Sequence, residues 1–164
     1  MSQQASISVA MQASQTEDLE ASVRSMSPRM TFSKAWSEGT GDDQADVHVT
    51  VAEALVAATP EEWDLRSGGG LDHDMDGLEG VVVFAKVKAL MLKNLSATGY
   101  LTLAPTAASG WVALFTGTVI VPPLGAVVIV APVGGVVVDT THRGIKLTTD
   151  VNCDIEMFII GVEA

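Results

Sequence analysis

From Leu95 to Val138 the chain passes 44 residues without an Asp, Glu, Lys, Arg or His. A stretch of that kind is a membrane span, a buried core, or a surface that another chain covers. Thr118–Val138 has the length and hydrophobicity of a spanning helix, which needs about 20 mostly apolar residues. It also contains Pro122, Pro123, Pro132, Gly125, Gly134 and Gly135. Each proline inside a helix removes a donor and costs about 3 kcal/mol. The residues between the breaks are mainly Val and Ile, which are stiff at χ1 and favour strands. No Lys or Arg cluster flanks the run to orient it in a bilayer. The segment therefore predicts short buried strands joined by Pro/Gly turns, and no membrane association.

The charge is unevenly placed. Residues 1–80 hold fifteen acids and four bases, a balance of −11, whereas residues 81–164 hold five of each and are neutral. The first half is the solvated part and the second half the core-former. An acidic chain repels phosphate backbones, so nucleic acid is not an expected partner. Cys153 is the single cysteine, which excludes an intrachain disulfide. Asp150, Asp154 and Glu156 surround it in sequence and disfavour a thiolate nucleophile, leaving a filler role on a strand face. The first twenty residues lack the charged and long apolar regions of a secretory signal.

Along the chain, Ile7–Met11 reads as an edge strand and Gln12–Pro28 as a polar loop with one helical turn. Residues 1–28 are thus an N-terminal extension, and 29–164 the folded domain. Met30, Phe32, Lys34 and Trp36 alternate with polar or small residues, as do Val47, Val49 and Val51, and the two runs suggest a long-looped hairpin across Ser37–Asp46. Ala52–Ala58 suits a helical turn ended by Thr59-Pro60. Val81–Asn94 is the clearest strand, with Phe84, Lys86 and Lys88 facing opposite to Val83, Ala85, Val87 and Ala89 in simple alternation. Further strands are expected at Tyr100–Leu103, Trp111–Phe115 and Ile145–Thr149, and at Asp154–Val162, which is apolar enough to be central. Two similar units beginning at Pro123 and Pro132 lie nine residues apart, enough for a short strand and a turn. Many short strands without helical periodicity predict an all-β fold, an antiparallel, jelly-roll-like β-sandwich.

Motifs for chemistry are sparse. Asp72-x-Asp74-x-Asp76-Gly77 resembles the start of a calcium loop, but the twelfth position is Val83 and not the bidentate Glu of an EF-hand. A looser calcium site from Asp72, Asp74, Asp76 and Glu79 competes with a simple solvated acidic turn. His48, His73 and His142 sit in no metal-binding pair. There is no G-x-S-x-G elbow, and Gly68-Gly69-Gly70 lacks the Lys-Ser/Thr of a phosphate loop. A non-enzymatic protein without a cofactor is expected.

The uncharged run exceeds what one small sandwich easily hides. Large exposed apolar patches mark interfaces, and obligate homo-oligomer interfaces resemble a divided core. Val121, Val128, Val130 and Val136 are the candidate interface residues of a homo-oligomer, with three copies as the working number.

A set of framework motifs adds a resemblance. These are Trp36-Ser37-Glu38-Gly39-Thr40-Gly41 with Gln44-Ala45-Asp46, Trp63-Asp64-Leu65, Gly69-Gly70-Leu71, Phe84-Ala85-Lys86-Val87-Lys88-Ala89, Asn94-x-Ser96-Ala97 and Ile159-Ile160-Gly161. Over roughly residues 30–164 the chain resembles small β-sandwich virion proteins of tailed bacteriophages, of the head decoration (cement) or minor structural type. The resemblance implies a structural role on the particle, with the major capsid protein or other virion proteins as partners, and assembly in the host cytoplasm. It carries no catalytic residue. The alternative is a tail- or fibre-associated module that binds host-surface glycans through exposed aromatics, for which Trp36 and Trp63 are the candidates.

Overall fold

The computed structural model describes residues 4–12, 15–19, 22–26, 29–66, 73–74, 76–77, 80–112, 116–131 and 133–164. Among them the regular elements are all strands. The N-terminal region forms β1 (Gln4–Gln12), β2 (Gln15–Leu19), β3 (Ser22–Met26) and β4 (Arg29–Ser37). The middle forms β5 (Val47–Leu55), β6 (Glu61–Asp64), β7 (His73–Asp74), β8 (Asp76–Gly77), β9 (Gly80–Val81) and β10 (Phe84–Asn94). The remainder forms β11 (Leu101–Pro105), β12 (Val119–Val121), β13 (Ala126–Val130), β14 (Val136–Val137), β15 (Gly144–Thr149) and β16 (Cys153–Glu163).

Two five-stranded sheets make an antiparallel β-sandwich. The first has the order β13-β10-β16-β5, with β14 pairing β10 beside β13. The second has the order β12-β11-β15-β6-β7, and only its last, two-residue pairing is parallel. From β5 onward the chain changes sheet at most connections, a jelly-roll-like path. Alternating side chains from both sheets fill one core: Val49, Leu90, Leu92, Ile155, Met157 and Ile159 from the first meet Trp63, Leu101, Leu103, Val121, Ile145 and Leu147 from the second. Each fully buried Leu or Ile contributes about 1.5–3 kcal/mol of hydrophobic stabilisation. As its sequence suggests, β16 is central, bonded to β10 on one side and β5 on the other.

Several local expectations give way to the observed pairing. The polar residues 15–19 and 22–26 form an antiparallel hairpin where a loop was expected. The runs at 30–36 and 47–51 are both strands but do not form a hairpin: β4 pairs β1, and β5 pairs β16. The β1–β4 ribbon therefore crosses the boundary drawn at residue 28. Ala52–Leu55 extends β5 and is not helical, because Ala52 and Ala54 stand opposite Glu156 and Asp154 in the ladder. Trp111 and Val112 follow an isolated bridge between Gly110 and Gly144 and belong to no strand, while 113–115 lie outside the described residues.

Simple alternation also fails in β10. Its register against β16 slips between Phe84 and Lys86 and again between Val87 and Ala89. Each slip is a bulge that adds one unpaired residue and turns the following side chains over. The core-facing residues are consequently Phe84, Val87, Leu90 and Leu92. Opposite Val87 stands Gly161, where a Cβ would lie 2.4 Å from the Lys86 carbonyl oxygen and 2.5 Å from the Phe84 ring. The absence of a side chain there is what lets Phe84 fill the end of the core.

Asn94 closes the other end of β10. It is fully buried. Its Nδ2 donates to the carbonyls of Gly99 (2.8 Å), Val121 (3.2 Å) and Pro122 (3.2 Å), and its Oδ1 accepts from the Ser96 amide at 2.9 Å. One side chain thus ties the 95–99 turn to the end of β12. Asn94→Asp would replace the donor with a second acceptor facing three carbonyls. The expected cost is about 3 kcal/mol or more, read as a lower urea midpoint at unchanged m-value, whereas Ser96→Ala should cost under about 1.5 kcal/mol.

Candidate functional site

The outer face of the first sheet is the feature that sets this sandwich apart. A half-exposed antiparallel sheet normally shows polar residues to solvent. Here one row across the sheet reads His48, Ile160, Ala89, Val130, and the next reads Thr50, Phe158, Met91, Val128. The first row is covered by the chain itself. Trp36 of β4, 1 % exposed, packs with Ala45, Ala89 and Ile160, and Ala5, Ile7, Val130 and Phe158 join this second cluster. The β1–β4 ribbon therefore forms a third layer over the sheet. His48 remains exposed beside Phe158, with ring centroids 6.0 Å apart.

Farther along the ribbon the same face runs out of cover. Val9 stands opposite Phe32 in the register, and Met11 follows on the same side. Met11 is 66 % exposed and Phe32 40 %.

A lysine-bound loop fixes the ribbon to the sheet. Residues 38–46 return the chain from β4 to β5. The turn is closed by the Gln44 side chain, whose Oε1 accepts from the Gly41 amide at 3.0 Å. Gly39 has φ 135°, a region other residues rarely enter. Lys88, displaced by the second bulge of β10, is fully buried, and its Nζ donates to the carbonyls of Asp42 (2.8 Å) and Gly41 (3.4 Å). Burial, reinforced by the neighbouring Lys86 charge, holds the Lys88 pKa below its ordinary value. Lys34 bonds the Asp43 carboxylate at 2.8 Å and thereby lowers that carboxyl's pKa. Lys86 lies 3.8 Å from Asp42. At the far end Asp46 accepts the Glu163 amide at 2.8 Å, joining the loop to the end of β16. Trp36, Gln44, Ala45, Asp46, Lys88 and Gly161, taken from sequence as framework motifs, thus meet in one structural unit. Their functional meaning is positional: they hold the ribbon on the sheet.

The four candidate interface valines separate. Val121 is 1 % exposed within the sandwich core and offers no surface to a partner. Val136 is half-buried against the same core, and Val130 is half-buried under the ribbon cluster. Val128 is half-buried on the outer face, level with Met91 and Phe158. The three latter positions sit on one edge of the sheet, which the spacing alone did not reveal.

The aromatic candidates for glycan stacking are corrected by burial. Trp36 and Trp63 are 1 % and 4 % exposed and serve as core, so neither presents a face to a sugar. Of the calcium candidates, Asp72 and Glu79 lie outside the described residues, and Asp74 and Asp76 fall in two-residue strands. Among the described residues no three His, Cys, Asp or Glu side chains are grouped to hold a metal, and no helix is long and apolar enough to cross a membrane. Cys153 is buried in the sandwich core. A shallow groove of about 400 Å³ opens at the end of the first sheet, between Val56, Ala97 and Asn152. Among the described residues on its wall, Asp154 is the one carboxylate. In comparisons with known proteins, no family model matches the chain and no curated protein matches it in sequence.

Lys88 gives the site a pH signature. Its native-state pKa is lowered from 10.5. Below both values the ammonium is charged in native and unfolded chains, and the native state bears the burial cost. As pH rises through the native value the folded protein loses its proton first and gains stability until the unfolded value is passed. Wild type should therefore gain stability relative to Lys88→Met across the alkaline side of neutrality, in parallel urea titrations. At neutral pH, Lys88→Ala should cost about 2 kcal/mol through lost carbonyl contacts and stem packing.

Proposed function

We propose that this chain is a non-enzymatic bacteriophage virion structural protein, a head decoration or cement protein that oligomerises and stabilises the capsid shell. The observation that carries the proposal is the apolar outer face of the first sheet, covered over part of its width by the chain's own ribbon and continued beyond it by Val9, Met11 and Phe32. Apolar surface left in this arrangement gains free energy when a neighbouring subunit covers it. The rest of the molecule suits the same task. The sandwich is closed by buried contacts, and the framework residues that resemble phage virion proteins hold the ribbon in place. The acid-rich first half keeps separate copies soluble before assembly. Many weak contacts repeated over a shell add to firm attachment through multivalency.

The direct test is labelling. Antibody to the chain, applied to purified particles of the phage that encodes it, should decorate heads at regular spacing in negative stain. Particles without label, and without the chain on a denaturing gel, would remove the proposal. A pair of substitutions separates assembly from folding. Val128→Asp should abolish particle binding while the melting temperature falls by less than about 4 °C. Val136→Asp, against the core, should cost about 2–4 kcal/mol and lower the yield of folded protein.

A further inference from the structure

We infer that β1 is a self-pairing edge, through which two copies of this chain join antiparallel about a two-fold axis centred on Ser8. The strand is nine residues long, QASISVAMQ. One of its edges is bonded to β4, and among the described residues no strand pairs with the other. Open edges in stable monomers are usually short, or blunted by charge, proline or a bulge. This edge has none of those features. The other long strands with an edge that no described strand pairs, β4 and β5, do carry ionisable groups: Arg29 and Lys34 in β4, His48 and Glu53 in β5.

The order of residues in β1 selects the occupant. Ala5, Ile7, Val9 and Met11 lie on the face that meets Trp36, and Ser6, Ser8 and Ala10 are exposed on the opposite face. This pattern is the same read in either direction from Ser8. In an antiparallel pair, residues directly opposite share a face. Pairing about Ser8 therefore places Ile7 against the partner's Val9, Ala5 against the partner's Met11, and Gln4 against the partner's Gln12. No polar residue meets the apolar face, and no charge meets a like charge. About four or five residues of each strand direct both N–H and C=O at the open edge, enough for a continuous ladder. The exposure of Met11, 66 %, also acquires a reason: the partner's Met11 falls beside Ala5, over the covered part of the sheet. With a net charge of −11 per chain, two copies need an uncharged line of approach, and β1 provides one. The contact is isologous and closes as a dimer, in place of the three copies expected from sequence.

This inference goes beyond the virion proposal and is measured on the purified chain alone, so a failure here is distinct from a failure to bind particles. Ser8 is exposed on the ribbon, so its substitution leaves the core intact. The probe is light scattering after gel filtration of the full chain, with circular dichroism as the control for folding. Wild type should run as a dimer. Ser8→Lys and Ser8→Asp should each run as monomers with wild-type spectra, because each sets like charges directly opposite. Mixing the two variants should restore the dimer. Ser8→Cys should form a covalent dimer on mild oxidation, and Ser6→Cys, which stands opposite the partner's Ala10, should not. A wild-type monomer at every concentration, a dimer that survives both charged variants, or a mixture that stays monomeric would each overturn the inference. A heterologous strand that binds β1 in the monomeric wild type would reassign the edge to a different protein and count equally against self-pairing.

Discussion

The ladder between β10 and β16 is the interaction on which the other contacts depend. β10 bonds β16 along one edge and both β13 and β14 along the other, so it is the strand through which most of the first sheet is connected. Its two bulges decide what each face carries. Without them, strict alternation from Phe84 to Leu90 and Leu92 would send Val87 away from the core and turn Lys86 and Lys88 into it. With them, the core face is apolar throughout, and Lys88 is freed to reach the 38–46 loop. A bulge is often treated as an irregularity; here two of them reconcile a core, a buried ammonium and a glycine-lined corner in eleven residues.

The buried ammonium links the sandwich to the layer outside it. Exposed ion pairs such as Lys34–Asp43 contribute little, about 0–1 kcal/mol. The Lys88 contacts are different because the lysine side chain is fully buried and its acceptors are main-chain carbonyls. Removing them loosens a loop, and with the loop the seat of Trp36. The ribbon is therefore held by an apolar anchor at Trp36 and a polar anchor at the Lys88-bound loop, and beyond them Met11 and Phe32 are exposed.

Strands with alternating or wholly apolar residues were legible from sequence: β5, β10, β11, β13, β15 and the central β16. So was the character of Leu95–Val138, whose prolines and glycines fall between short strands. Three things were not. The β2–β3 hairpin is mostly polar, and Leu19, Val23 and Met26 follow no two-residue alternation that would mark its strands. The partners of β4 and β5 depend on contacts remote in the chain, which local pattern cannot rank. The third layer was also hidden, because a tryptophan in an alternating strand reads the same whether it faces a sugar, a partner or its own outer sheet. The uncharged run suggested a covering chain; of that run Val130 is covered from within the molecule, in the cluster that Ala5, Ile7 and Trp36 build over the sheet.

The position of β16 bears on the order in which the molecule can be made. It is an inner strand of its sheet and leaves the ribosome after both strands it pairs with, β5 lying about a hundred residues before it. Until it arrives, β5 and β10 have no ladder between them, and the apolar faces of both are open to other chains. Pairings this distant in sequence form slowly and leave intermediates prone to aggregate. The acidic character of the first half, synthesised first, then acts during synthesis as well as after it, keeping unfinished chains apart until the closing strand slides into the gap.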